Sequence, residues 1–178
     1  MFAIVLAALD RSGSVLPILC AMAVHELAHI VMMLACGGQV RRLTLRFADL
    51  QIAASGLGYR QELLSALAGP LVNLICGAAF CMQRPSFAAY SLTLGIYNLL
   101  PVWPLDGGRV LRCALLARLP ITQAEHISEI VSFAACAVLL LIGVFLTFFR
   151  KSGLWPLGTA AYLTVRLLML ARRTDAVQ

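Results

Sequence analysis

Five long apolar runs dominate this sequence of 178 residues. A helix needs roughly 20 mostly apolar residues to cross the hydrocarbon core of a bilayer, and most of these runs approach or reach that length. They cover residues 14–36, 63–82, 86–100, 127–149 and 154–171. The composition, 61% hydrophobic and 12% charged, is unlike that of soluble domains. The pattern predicts an all-α, multi-pass membrane protein with five to six transmembrane helices.

The basic residues indicate how the chain is oriented in the membrane. A net charge of +6 could suggest a nucleic-acid partner, but the basic residues lie at the ends of the apolar runs, so no nucleic acid is expected. If successive runs cross the membrane in alternate directions, seven arginines lie on one side: Arg41, Arg42, Arg46, Arg60, Arg118, Arg172 and Arg173. The other side receives Arg11, Arg84, Arg150 and Lys151. The arginine-rich side is predicted to be cytoplasmic, which places the C-terminus in the cytoplasm.

Two histidines and a glutamate lie in the middle of the first run, in the string MAVHELAHIVMML. In a helix His25 and His29 share one face, so both can reach one zinc ion through nitrogens at about 2.0–2.1 Å. Glu26 can then act as general base on a water molecule. The alternative, a pair of core histidines beside a protonated Glu26, would place three costly ionisable groups at membrane depth with nothing to offset them.

A hydrolytic zinc site requires a third protein ligand and an open position for water. Asp106 is the leading candidate because it follows a break in an apolar run, in YNLLPVWPLDGGRVLR. Prolines and glycines interrupt the helix there, and such a break is tolerated in a membrane only where it is buried in protein or lines a wet cavity. Asp106 is therefore predicted to project into a wet cavity. The alternative is an interfacial loop in which Asp106 caps the following helix.

Three strings occur in the order HELAH, LAGPLVNL and NLLPVWPLDGGR. With them the chain resembles the site-2 protease family of intramembrane zinc metalloproteases, especially the branch of stage IV sporulation FB-type proteases. The resemblance implies that His25, His29 and Asp106 bind one zinc ion per chain. It also implies that Glu26 is the catalytic general base.

The middle string supplies further candidate residues, Gly69, Pro70 and Asn73. The resemblance suggests that Asn73 binds the substrate backbone or the oxyanion. The alternative is that Asn73 only joins neighbouring helices, as polar residues do in membrane proteins. Asn98 has the same two interpretations.

The connection between the first two runs, residues 39–58, alternates apolar and polar residues in QVRRLTLRFADLQIAASG. Period-two alternation predicts a short β-hairpin with its turn near Ala48 and Asp49. The family has a comparable membrane-associated hairpin, whose edge strand could pair with an unwound substrate. The alternative is a connector whose arginines only set the topology. Sporulation-type members often add a CBS domain; here we expect a single integral membrane metalloprotease domain over residues 1–178 without one.

The sequence as a whole predicts an intramembrane zinc endopeptidase. Its expected substrate is a membrane-tethered protein, cut within or near its membrane segment to release a transcription factor to the cytoplasm, by resemblance a sporulation sigma-factor precursor. The bilayer and a regulatory membrane protein are the other expected partners. Two alternatives stay open, a divalent-metal transporter and a catalytically inactive membrane scaffold. A transporter usually has ligands at several depths and does not need Glu26 between the histidines.

Overall fold

The structure, a computed structural model, describes residues 13–46, 49–55, 57–149 and 155–175. The elements in these ranges follow the chain in the order α1 Val15–Ala35, β1 Gln39–Arg46, β2 Asp49–Ser55, α2 Tyr59–Ala79, α3 Pro85–Asn98, α4 Asp106–Leu116, α5 Ile121–Phe148 and α6 Trp155–Asp175. The chain divides into two compact units, Met1–Leu99 and Leu100–Gln178. The single domain over residues 1–178 stays a prediction.

Three of the described helices, α1, α2 and α5, are long and apolar enough to cross a membrane. Helix α6 contains a shorter apolar stretch, Leu157–Met169. Helix α3 has 14 residues, which corresponds to about 21 Å and is shorter than a hydrocarbon core of about 30 Å. These helices identify a membrane protein, and the total of five to six spans stays a prediction.

In the first unit, helix α1 packs against α2 and α3. The buried residues of α1 recur every four positions: Ala21, His25, His29 and Met33. This spacing puts them on one face of the helix. Leu27 and Val31 are 57% and 61% exposed, as expected for side chains that face lipid. Both histidines thus belong to the protein-facing side of a membrane helix.

Small side chains lie on the buried faces of α2 and α3, which pack against each other. They are Ser65, Ala66, Ala68, Gly69 and Gly77 of α2, with Ala88, Ser91 and Gly95 of α3. In lipid, helices associate through close packing of this kind, because burying apolar surface gives no advantage there. This close packing allows the backbones of α2 and α3 to approach each other.

Strands β1 and β2 form a two-stranded antiparallel sheet in which Leu43 lies opposite Ile52 and Arg46 lies opposite Asp49. The pairing is irregular between Val40 and Arg42. Residues 47 and 48 lie outside the described residues. The turn near Ala48 and the contact of this sheet with the membrane therefore stay predictions.

In the second unit, α5 packs against α4 and α6. The buried residues of α5 also follow a helical spacing: Ala124, Ser128, Ser132, Cys136 and Gly143. Leu163 and Leu167 are the large buried side chains of α6, at 2% and 3% exposure. The unit is a small helical bundle, and the segment before α4 is bonded to it.

Candidate metal centre

A pair of reciprocal hydrogen bonds fixes His29 against α2. Nδ1 of His29 lies 2.7 Å from the carbonyl oxygen of Ser65, and the Ser65 hydroxyl donates to the carbonyl oxygen of His29 at 3.3 Å. A carbonyl oxygen can only accept, so Nδ1 of His29 carries the proton. In a neutral ring the lone pair is then on Nε2, and this is the tautomer that binds metal through Nε2.

His25 completes a pair of facing imidazole nitrogens. Its Nε2 lies 3.1 Å from Nε2 of His29, and the two residues are only 5% and 7% exposed. Two nitrogens bound to one zinc ion at tetrahedral angles are about 3.3 Å apart, given Zn–N bonds of about 2.0–2.1 Å. The spacing and the donor chemistry therefore fit two adjacent ligands of a single zinc ion.

Gly69 provides the space for both rings. A Cβ atom at this position would lie 2.6 Å from Cε1 of His29 and 2.9 Å from Cε1 of His25, closer than carbon atoms pack. Pro70 follows in the interior of α2 and is also buried. The role that the structure gives Gly69 is steric, because α2 can approach the histidines only where it carries no side chain.

We therefore expect Gly69→Ala to weaken zinc binding at least tenfold, because the added methyl group displaces the imidazoles from their facing arrangement. Zinc affinity measured by chelator competition checks this. Gly58→Ala is the matched control, since a Cβ at Gly58 meets only the Gln61 side chain, at 3.7 Å. Unchanged affinity in Gly69→Ala would show that the rings can move aside without cost.

Asp106 is the first residue of α4 and is 8% exposed. The preceding residue, Leu105, is extended, so the helix break expected before Asp106 is present. The helix N-terminus stabilises a carboxylate in its first turn, and Nη1 of Arg109 lies 3.6 Å from Oδ1 of Asp106. Both effects favour the charged form, which is the form that binds a metal cation.

The segment before Asp106 is fixed to its own unit by polar and steric contacts. The amide of Trp103 donates to the Ser132 hydroxyl at 3.1 Å, and that hydroxyl donates to the carbonyl oxygen of Pro101 at 3.4 Å. A Cβ at Gly108 would lie 2.6 Å from the Trp103 nitrogen. Glycine at 108 thus allows α4 to begin directly against this segment.

The other sequence-predicted residues lie in the first unit. Glu26 is half-buried beside His25 in α1. Asn73 is fully buried, and its Nδ2 lies 3.2 Å from Nδ1 of His25. Asn98 ends α3, where its amide donates to the carbonyl oxygen of Leu94 at 3.0 Å.

Two contributors to the site were not predicted from the sequence, Ser65 and Ser132. Ser65 lies four residues before Gly69, so both share the face of α2 that meets the histidines. This four-residue spacing is the feature of the sequence from which Ser65 could have been predicted. Ser132 lies on α5 with no motif around it, and nothing in the sequence singles it out.

Each of the three predicted ligands is a buried ligand-type side chain of its own unit, His25 and His29 of the first and Asp106 of the second. Two imidazoles and one carboxylate are a donor set suited to zinc, and three protein ligands leave the fourth position for water or substrate.

The sequence profile of peptidase family M50 matches residues 84–142, which include Asp106. The chain is 28% identical over 138 residues to stage IV sporulation protein FB of Bacillus subtilis, covering 70% of this chain and 47% of that protein. Over residues 84–142 the chain therefore matches the peptidase M50 (site-2 protease) domain. The resemblance expected from the three sequence strings is confirmed.

Two further matches are to proteins of one other organism. A zinc metalloprotease of Methanocaldococcus jannaschii is 26% identical over 133 residues, covering 67% of this chain and 39% of that protein. The site-2 protease structure from Methanocaldococcus jannaschii aligns with a TM-score of 0.67 at 19% identity, covering 94% of this chain and 83% of that chain. This alignment establishes the shared fold. The chain spans about half or less of the length of the curated relatives it matches.

Proposed function

We propose that this chain is an intramembrane zinc endopeptidase that cleaves a membrane-tethered protein within or near its membrane segment. The observation that carries the proposal is the facing pair of buried Nε2 atoms of His25 and His29, 3.1 Å apart in a helix long enough to cross a membrane. Asp106 is the proposed third ligand, and one zinc ion binds per chain. The similarity to a protein named as a zinc metalloprotease supports the choice of metal.

In the proposed mechanism, a zinc ion held by His25, His29 and Asp106 would supply Lewis-acid activation of the scissile carbonyl and of the attacking water. Glu26 accepts the proton of that water and passes it to the leaving amine. His25 and His29 hold their Nε2 atoms in place, the latter through its bond to the Ser65 carbonyl.

The substrate must unwind locally, because a helix keeps its carbonyl groups in internal hydrogen bonds. We propose that the sheet of β1 and β2 binds the unwound segment, since within the described part of the chain each strand pairs with another strand on one side only. Asn98, at the end of α3, is a candidate for binding the substrate backbone. Gly69 and Pro70 shape the wall beside the histidines.

Similarity to stage IV sporulation protein FB supports a membrane-tethered sporulation sigma-factor precursor as the substrate. Its cleavage releases a transcription factor to the cytoplasm, and a regulatory membrane protein is a further proposed partner. Co-expression of the chain with candidate tethered precursors tests the proposal by the appearance of a shorter, soluble product. Absence of a product with every candidate, at normal protein levels, would contradict the substrate assignment.

We also propose that the chain lies in a bacterial inner membrane with its C-terminus in the cytoplasm. His29 lies six residues before the end of α1, or about 9 Å along the helix. In this orientation the zinc site is in the cytoplasmic half of the membrane, and both water and the released product use that side.

Labelling of single cysteines on a cysteine-free background tests this topology. We expect cysteine at Gln83, beside Arg84, to react with an impermeant thiol reagent in intact spheroplasts. Cysteine at Ala117, beside Arg118, should react only after the membrane is opened, because arginine accumulates on the cytoplasmic side. Both positions are exposed at helix ends. The opposite labelling pattern would reverse the orientation.

A further inference from the structure

We propose that Asn73 is a positioning residue for the zinc ligand His25, and that its side-chain oxygen accepts the Nδ1 proton of His25 when Nε2 binds the metal. The inference rests on the proposed zinc site. It gives Asn73 a different task from the substrate or oxyanion contact that the sequence suggested.

Buried contacts place Asn73 behind His25, on the side of the ring away from His29. Nδ1 of His29 lies 2.7 Å from the Ser65 carbonyl oxygen, and the Nε2 atoms of the two rings face each other at 3.1 Å. Nδ1 of His25 lies 3.2 Å from Nδ2 of Asn73. Asn73 therefore contacts the nitrogen of His25 that does not face His29.

Metal binding through Nε2 fixes the position of the His25 ring proton. Zinc binds the lone pair of an imidazole nitrogen, so Nε2 of His25 is a ligand only when the ring proton is on Nδ1. That Nδ1–H group is buried and needs an acceptor.

Asn73 can supply this acceptor by a rotation of its amide through 180°, which exchanges NH2 and oxygen. The structure shows why the rotation is open to it. Oδ1 of Asn73 is buried and has no hydrogen-bond partner among the described residues. No second bond fixes the amide, and the rotation replaces the one bond to His25 with another.

The burial of Asn73 distinguishes this role from a substrate contact. Its side chain is fully buried and its amide meets Nδ1 of His25, the nitrogen on the far side of the ring from His29. A group that binds a substrate carbonyl has to reach the metal side of the histidines. Asn73 instead acts through His25, as the acceptors behind metal-binding histidines do in other zinc sites.

Zinc affinity of the full chain in detergent, measured by chelator competition, tests the proposal. We expect Asn73→Leu, which keeps the size but removes the acceptor, to weaken binding about 10–100-fold. Asn73→Asp keeps an acceptor and should bind within a few-fold of the wild type. Ser91→Ala, which removes another fully buried polar group without a partner, is the control and should bind as the wild type does.

A spectroscopic measurement on the wild type covers the case in which the variants fail to fold. In zinc-loaded chain with 15N-labelled histidine, the His25 ring should carry its proton on Nδ1, which the nitrogen chemical shifts report. A zinc-loaded His25 ring with its proton on Nε2 would overturn the proposal. So would wild-type zinc affinity in Asn73→Leu.

Failure of this proposal and failure of the protease proposal are distinguishable. Wild-type chain that binds zinc with the expected dependence on Asn73 but cleaves nothing would refute only the protease function. Wild-type cleavage with an Asn73→Leu variant of unchanged zinc affinity would refute only the positioning role. A chain that binds no zinc would refute both.

Discussion

Glu26→Gln should abolish cleavage of a tethered substrate while zinc content stays at the wild-type level. The substitution keeps the size and hydrogen-bonding shape of the side chain but removes the group that accepts the proton of the attacking water. General bases contribute about 10²–10⁴-fold to such reactions, so the product should fall below detection on an immunoblot. Metal analysis of the same preparation checks that the site is still loaded.

Glu129→Gln is the matched control, because Glu129 is exposed on α5 and far along the chain from both motifs. It should cleave at the wild-type rate. Substantial cleavage by Glu26→Gln would refute the assigned base. Zinc flux into vesicles that depends on His25 would favour the transporter, and a zinc-loaded wild type without any proteolysis would favour the scaffold.

The second large effect is expected at the three proposed ligands. We expect about one zinc ion per wild-type chain, and a lower zinc content and no cleavage in each of the variants His25→Ala, His29→Ala and Asp106→Ala. The reason is that a catalytic zinc site of this type has only three protein ligands. Loss of a ligand should exceed the 10–100-fold decrease in affinity that follows loss of the groups behind a ligand. Metal analysis after dialysis against a weak chelator measures this.

His126→Ala is the control for the histidine variants, since His126 is exposed on α5. Its zinc content and cleavage should not change. Full zinc and full activity in Asp106→Ala would mean that the third ligand lies elsewhere. Glu62, in the first turn of α2, would be the next candidate to test.

Periodicity alone predicted the part of the site that lies on α1. A spacing of four put His25 and His29 on one helix face, and the structure confirms that this face is buried, with the two Nε2 atoms 3.1 Å apart. The proline and glycine pattern likewise predicted the helix break before Asp106. Both features depend on local backbone chemistry, which the sequence records directly.

Features that depend on how helices pack were less accessible to sequence reasoning. The run 86–100 has the composition of a membrane span, yet α3 ends at Asn98, close to Pro101, which cannot supply a helical N–H. The contact of Asn73 with Nδ1 of His25 depends on the way α2 passes α1. Composition and spacing carry no information about that crossing.

The bond that orients His29 ends on the main chain of α2, at the carbonyl of residue 65. Every amino acid has that carbonyl, so the orientation of His29 is encoded in the path of a helix and not in the identity of a side chain. The bond to Nδ1 of His29 consequently needs no particular functional group at position 65, and a comparison of side chains alone will overlook it. Redesign of this ring's orientation requires moving α2 itself.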